Sequence, residues 1–212
     1  GAPPQPGGAP GWHVGPPDLA AQAPKPFPAP AEGPVLFWNF LLSPAISKTH
    51  YVRALEIRPG NLRVVHHANL LIDRTRSARH RENTPGAGFA GMDLTIESDS
   101  FDPDSHFLFW KPGGMPSVEK DGMSWSLRPG NDFVLNVHLQ PSGKAEQVQP
   151  SVGLYFGEQP PAKFPMLMKL ENDRALDIPA GRQDFLISDD FRLPLDVDVL
   201  SVYPHAHYLG KL

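Results

Sequence analysis

Apolar and polar positions along the chain alternate mostly with a period of two, and no capped run with helical period is found. Val35-Leu36-Phe37-Trp38-Asn39-Phe40-Leu41-Leu42 reads as a buried strand, and Tyr51-Val52-Arg53-Ala54-Leu55-Glu56-Ile57 as an alternating one. Arg58-Pro59-Gly60-Asn61 is a turn signal, so the strand through Val64-Val65-His66-His67 is expected to form a hairpin or neighbouring pair with the one before it. Further strand candidates are Met92–Ile96, His106–Trp110, Gly122–Leu127 and Ser151–Phe156. Arg128-Pro129-Gly130-Asn131 repeats the earlier turn and leads into Asp132–Gln140, the cleanest alternation in the chain. There Phe133, Leu135, Val137 and Leu139 share one face, and Val134, Asn136, His138 and Gln140 share the other. Gln159-Pro160-Pro161 marks a domain boundary, after which Phe164–Leu170, Asp184–Ile187 and the run from Asp196 through His205-Ala206-His207 read as strands. Many short strands between Gly, Pro and Asn turns predict an all-β antiparallel sandwich over residues 35–158. Residues 159–212 then supply a linker and the first strands of a second, incomplete sandwich.

Composition changes this picture at the N-terminus. The chain has 26 prolines in 212 residues, and they crowd residues 1–34, which read as a Pro/Ala/Gly-rich arm or linker. Trp12 and Phe27 are its anchors if it lies along a folded surface; otherwise it is a spacer. The start carries no basic region followed by an apolar core, so it is not a signal peptide, and the chain is expected to be a mature or excised piece of something longer. No apolar window reaches transmembrane length. A net charge of −4 without a basic stripe argues against a nucleic-acid partner. Residues 74–92, with Arg74, Arg76, Arg79 and Arg81, read as a surface loop; no Gly-rich segment opens a helix there to make a phosphate site. The absence of cysteine excludes disulfides, thiol catalysis, zinc–thiolate sites and iron–sulfur clusters.

The candidate chemistry lies in histidine. Of nine, His13, His50, His80 and His106 stand alone and are assigned no role. His66 and His67 are adjacent inside an apolar strand. Either each ring is separately satisfied, or the pair is part of a metal site. A regular strand would put the two rings on opposite faces, so a shared cation requires the strand to end, twist or bulge there. In His205-Ala206-His207, positions i and i+2 of a strand, the rings can converge without distortion. With His138 these make five imidazoles on strand-like runs, a donor set that suits copper, zinc or non-haem iron.

His66-His67 after the first Arg-Pro-Gly-Asn turn, the strand Val134-Leu135-Asn136-Val137-His138, and His205-Ala206-His207-Tyr208-Leu209-Gly210-Lys211 occur in the same order in one family. From about Val35 to its last residue the chain resembles the copper type II, ascorbate-dependent monooxygenases, the group of the peptidylglycine alpha-hydroxylating and dopamine beta-monooxygenases and their bacterial relatives. The resemblance implies two jelly-roll β-sandwiches with one copper each. It implies that His66, His67 and His138 bind the electron-passing copper, and that His205 and His207 bind the copper where dioxygen and a C–H substrate react. Ascorbate or another reductant would supply electrons, the substrate would be a small molecule or peptide, and the location would be extracytoplasmic, in the periplasm of a bacterium. The family's methionine ligand lies downstream of the His-x-His pair, whereas Met92, Met115, Met123, Met166 and Met168 all precede it. The second site is therefore expected to be truncated. The alternative is a non-catalytic sandwich that keeps the fold as an accessory or structural subunit, with protein partners on the arm and exposed strands. A metal carrier using only the three-histidine site is a further option.

Overall fold

The computed structural model describes residues 11–92, 108–120, 122–165, 168, 170 and 175–202. Twelve strands follow one another: β1 (Leu19–Gln22), β2 (Phe27–Ala29), β3 (Leu36–Leu42), β4 (His50–Arg58), β5 (Val65–Asp73), β6 (Phe89–Ala90), β7 (Phe109–Trp110), β8 (Ser117–Val118), β9 (Trp125–Leu127), β10 (Asp132–Leu139), β11 (Glu146–Val148) and β12 (Ser151–Gly157). All the strand pairings are antiparallel, and they build an all-β sandwich. One sheet has the order β1-β12-β4-β8, with β9 also on β4; the other has the order β6-β3-β10-β5-β7. A small β2–β11 ribbon completes it.

β10 is the centre of the second sheet, with β3 on one side and β5 on the other. Its alternation explains why. Phe133, Leu135, Val137 and Leu139 all enter the main core, where they meet Val52, Leu55, Trp125, Val152 and Leu154 of the first sheet. Burying each such side chain contributes roughly 1.5–3 kcal/mol. The opposite face of β10 is covered from Asp132 to Asn136 and opens at His138. There Val134 packs with Leu41, Ala78 and Phe89 beneath the segment after β5.

That segment is held firmly. The buried Asp73 carboxylate accepts the backbone N–H groups of Thr75, Ser77 and Ala78, organising a 3-10 turn at Ser77–Arg81. Arg79 is bound to Asp132 (2.9 Å from Nη2 to Oδ1), Arg76 to the carbonyl of Gly130 and Arg74 to that of Ser126. These arginines serve the fold.

From residue 11 on, the Pro-rich arm lies along the sandwich. β1 adds an edge strand to β12. Phe27 of β2 stacks on Trp38 with centroids 4.1 Å apart. Trp12 lies over Gly153, where a Cβ would come within 2.8 Å of the indole, and the Arg58 guanidinium sits 3.9 Å from the Trp12 ring centroid. Glu56, buried, accepts the N–H groups of His13 and Val14 and meets the His13 ring at 2.9 Å.

The chain divides into two compact units, Gly1–Leu167 and Met168–Leu212. Among the described residues of the second, none lies in a strand. The strands expected at Phe164–Leu170, Asp184–Ile187 and from Asp196 onward are therefore corrected for their described residues: Val197 and Val199 alternate with aspartate but are exposed. Alternation alone does not make a strand that has neither a ladder partner nor a core to face. The strand expected at Met92–Ile96 lies outside the described residues apart from Met92, which is in a bend. No helix among the described residues is long and apolar enough to cross a membrane.

Candidate metal centre

The site is made by a bulge. Counting back by twos along β5, Ile72, Leu70 and Ala68 point into the core, and the next inward position would be residue 66. Instead the register with β10 slips: His138 faces His67, but Leu139 faces Val65. His66 is the extra residue. Val65, 3% exposed, takes the inward place, and His66 turns out beside His67. A β-bulge re-aims side chains in this way, at the cost of one broken step in the ladder.

The consequence is a cluster of three imidazoles on the outer face of the sheet. Nδ1 of His66 and Nδ1 of His67 are 3.1 Å apart. One donor nitrogen from each of His66, His67 and His138 can be chosen so that all lie within 4.8 Å of one another. Ring centroids are 5.2 Å apart for His66–His67, 5.1 Å for His66–His138 and 4.8 Å for His67–His138. Two nitrogens bound at about 2.0–2.1 Å to one ion stand roughly 3–4 Å apart. The doublet already has that spacing, and His138 is within about an ångström of it. Two Nδ1 atoms this close share either one proton or one cation, since two N–H groups cannot point at each other. Among the described residues no carboxylate belongs to the cluster.

The surroundings are asymmetric. Phe37 of β3 stacks flat on His138, with centroids 4.4 Å apart and planes at 12°, and meets His67 edge-on at 6.3 Å. Phe109 of β7 lies 5.6 Å from His67. His66 is exposed, while His67 and His138 are half-buried. One residue pair further along the outer face, Asn136 donates through Nδ2 to Asn39 Oδ1 (2.7 Å) and to the Gly91 carbonyl. Asn39 donates to the carbonyls of Phe89 and Gly91. Asn136, on the same face as His138, thus spends its amide hydrogens on Asn39 of β3 and on the Gly91 carbonyl of the covering loop.

His205 and His207 lie outside the described residues, as does His106. His13 binds Glu56 and His50 stacks on Phe156 at 4.1 Å, both away from the triad in sequence and serving the fold. Phe37 and Phe109 are the residues that sequence reasoning missed. Phe37 sits directly opposite His138, but that register follows from pairing strands nearly a hundred positions apart. Comparison with protein-family models, curated proteins and solved structures gives no match.

Proposed function

We propose that this chain is the copper-binding domain of an ascorbate-dependent type of monooxygenase, working outside the cytoplasm, and that His66, His67 and His138 hold its electron-passing copper. The reading rests above all on the convergence of three imidazoles at a bulge, two of them 3.1 Å apart at Nδ1. Among the described residues the donor set is imidazole alone, which suits copper better than the carboxylate-containing iron triad. Bound copper supplies one-electron redox chemistry at this point.

The chain's own residues do the rest. The ladder between β5 and β10 fixes the backbone positions of His67 and His138, and the bulge brings His66 to them. Neutral imidazole is the ligating form, so each ring must present a lone pair to the centre. Exposed His66 leaves one edge of the cluster open to a small reductant, while Phe37 and Phe109 shield the other rings. By the same proposal, His205 and His207 would hold a second copper, which would supply dioxygen chemistry for hydroxylating a C–H bond of a small molecule or peptide, with ascorbate as the source of the two electrons that take the other oxygen atom to water.

The test is metal loading of the purified chain, with Cu(I), Cu(II) and Zn(II) in parallel, followed by reduction with ascorbate. The expected result is tight copper binding that is lost in His138→Ala and a bound Cu(II) that ascorbate reduces. Zinc binding without copper binding would favour the carrier; no binding of either would favour the non-catalytic accessory sandwich.

A further inference from the structure

We propose that Phe37 is a positioning residue that holds the plane of the His138 ring; the consequence for metal affinity rests on the metal reading above, whereas the positioning itself does not. Phe37, His138 and His67 form one row across three neighbouring strands, since Phe37 lies opposite His138 on one side and His67 lies opposite it on the other. The last torsion of a histidine side chain is broad, so an unsupported ring swings over a wide range of planes. A triad that must aim one nitrogen from each ring at a common point needs that plane held. Stacking at 4.4 Å and 12° fixes the plane of His138, and the edge contact of Phe37 with His67 ties the second ring to the same wall.

Phe37 is itself well anchored. Its carbonyl accepts the Gly91 N–H at 3.2 Å. The next residue, Trp38, donates through Nε1 to the Ala87 carbonyl and stacks on Phe27 of the arm. A half-buried phenyl on the outward face of a sheet contributes little to the main core, which its neighbours on β3, Phe40 and Leu42, supply. Its ring is placed to serve the histidines instead.

The experiment compares Phe37→Leu, which keeps apolar bulk but removes the ring, with Phe37→Trp and Phe37→Tyr, which restore an aromatic face. In the metal-free protein, NMR of the His138 ring reads the position directly. Phe37→Leu is expected to lower the order parameter of the His138 ring C–H bonds, and at least one aromatic variant to restore it. Competition titration with Cu(I) and Zn(II) is expected to show affinity weakened about 2- to 10-fold in Phe37→Leu, the range expected for losing one aromatic stack. The Cu(II) electron paramagnetic resonance spectrum should broaden with it. A His138 ring whose order parameter is unchanged in Phe37→Leu overturns the proposal. If the wild type binds neither metal, the metal reading fails, and the metal-free ring measurement still decides the role of Phe37.

Discussion

Nδ1 of His66 and Nδ1 of His67 are 3.1 Å apart although the two residues are consecutive in a strand, where neighbours ordinarily point to opposite faces. The bulge opposite the His138–Leu139 step reconciles the two facts. His66→Ala, His67→Ala and His138→Ala are each predicted to lower copper affinity by at least about 100-fold, because a three-ligand site loses a third of its donors. His66→Ala should leave stability within about 0.5 kcal/mol of wild type, since the side chain is exposed. Competition titration and thermal unfolding on the same samples check both halves.

Gly153 and Trp12 are predicted to be energetically coupled. A Cβ on Gly153 would press into the indole at 2.8 Å. Gly153→Ala should therefore cost about 1–3 kcal/mol by overpacking. In a Trp12→Ala background the same change should be neutral or slightly stabilising, because alanine in a strand restricts the unfolded chain more than glycine does. A double-mutant cycle by denaturant unfolding measures the coupling; additive effects would show that the arm is not seated on β12.

Stability should fall in alkali through Tyr155. Burial raises its phenol above the ordinary value, and the charge of nearby Glu56 adds to the effect. The folded state then holds the proton more tightly than the unfolded chain. The stabilisation is fully present below the unfolded value of about 10 and is lost as pH rises through the folded one. Tyr155→Phe should flatten the pH dependence of unfolding above pH about 10, while giving up the hydroxyl's bond to the Gly15 carbonyl.

Asp73→Ala is predicted to destabilise the fold by roughly 3 kcal/mol, since a buried carboxylate gathers three backbone N–H groups. Hydrogen exchange at Thr75, Ser77 and Ala78 should accelerate most. Copper affinity should not change, because Asp73 sits six residues along β5 from His67, about 20 Å at strand rise.

Legibility followed the range of the interaction. The alternation of β10 is local, and its inward set reached the core as expected. The histidines of β5 and β10 stood out because imidazole is costly in an apolar strand. The need for a distortion at His66 was legible, but its form was not, since a bulge is a property of two strands in register. β1 and β2 were hidden by proline, which forbids central strands but tolerates an edge and a two-strand ribbon. Phe37 could be read as apolar, but not as the partner of His138.

The bulge at His66 also separates what folding requires from what the site requires. Remove residue 66 and the ladder between β5 and β10 closes into regular register, with Val65 still inward and Leu139 still its partner. The result would be a more regular sheet with a single outward histidine on β5. A one-residue deletion would thus disable the triad while leaving a protein that folds at least as readily, so survival of the fold is no measure of survival of the site, and the length of this strand records a demand that the core never made.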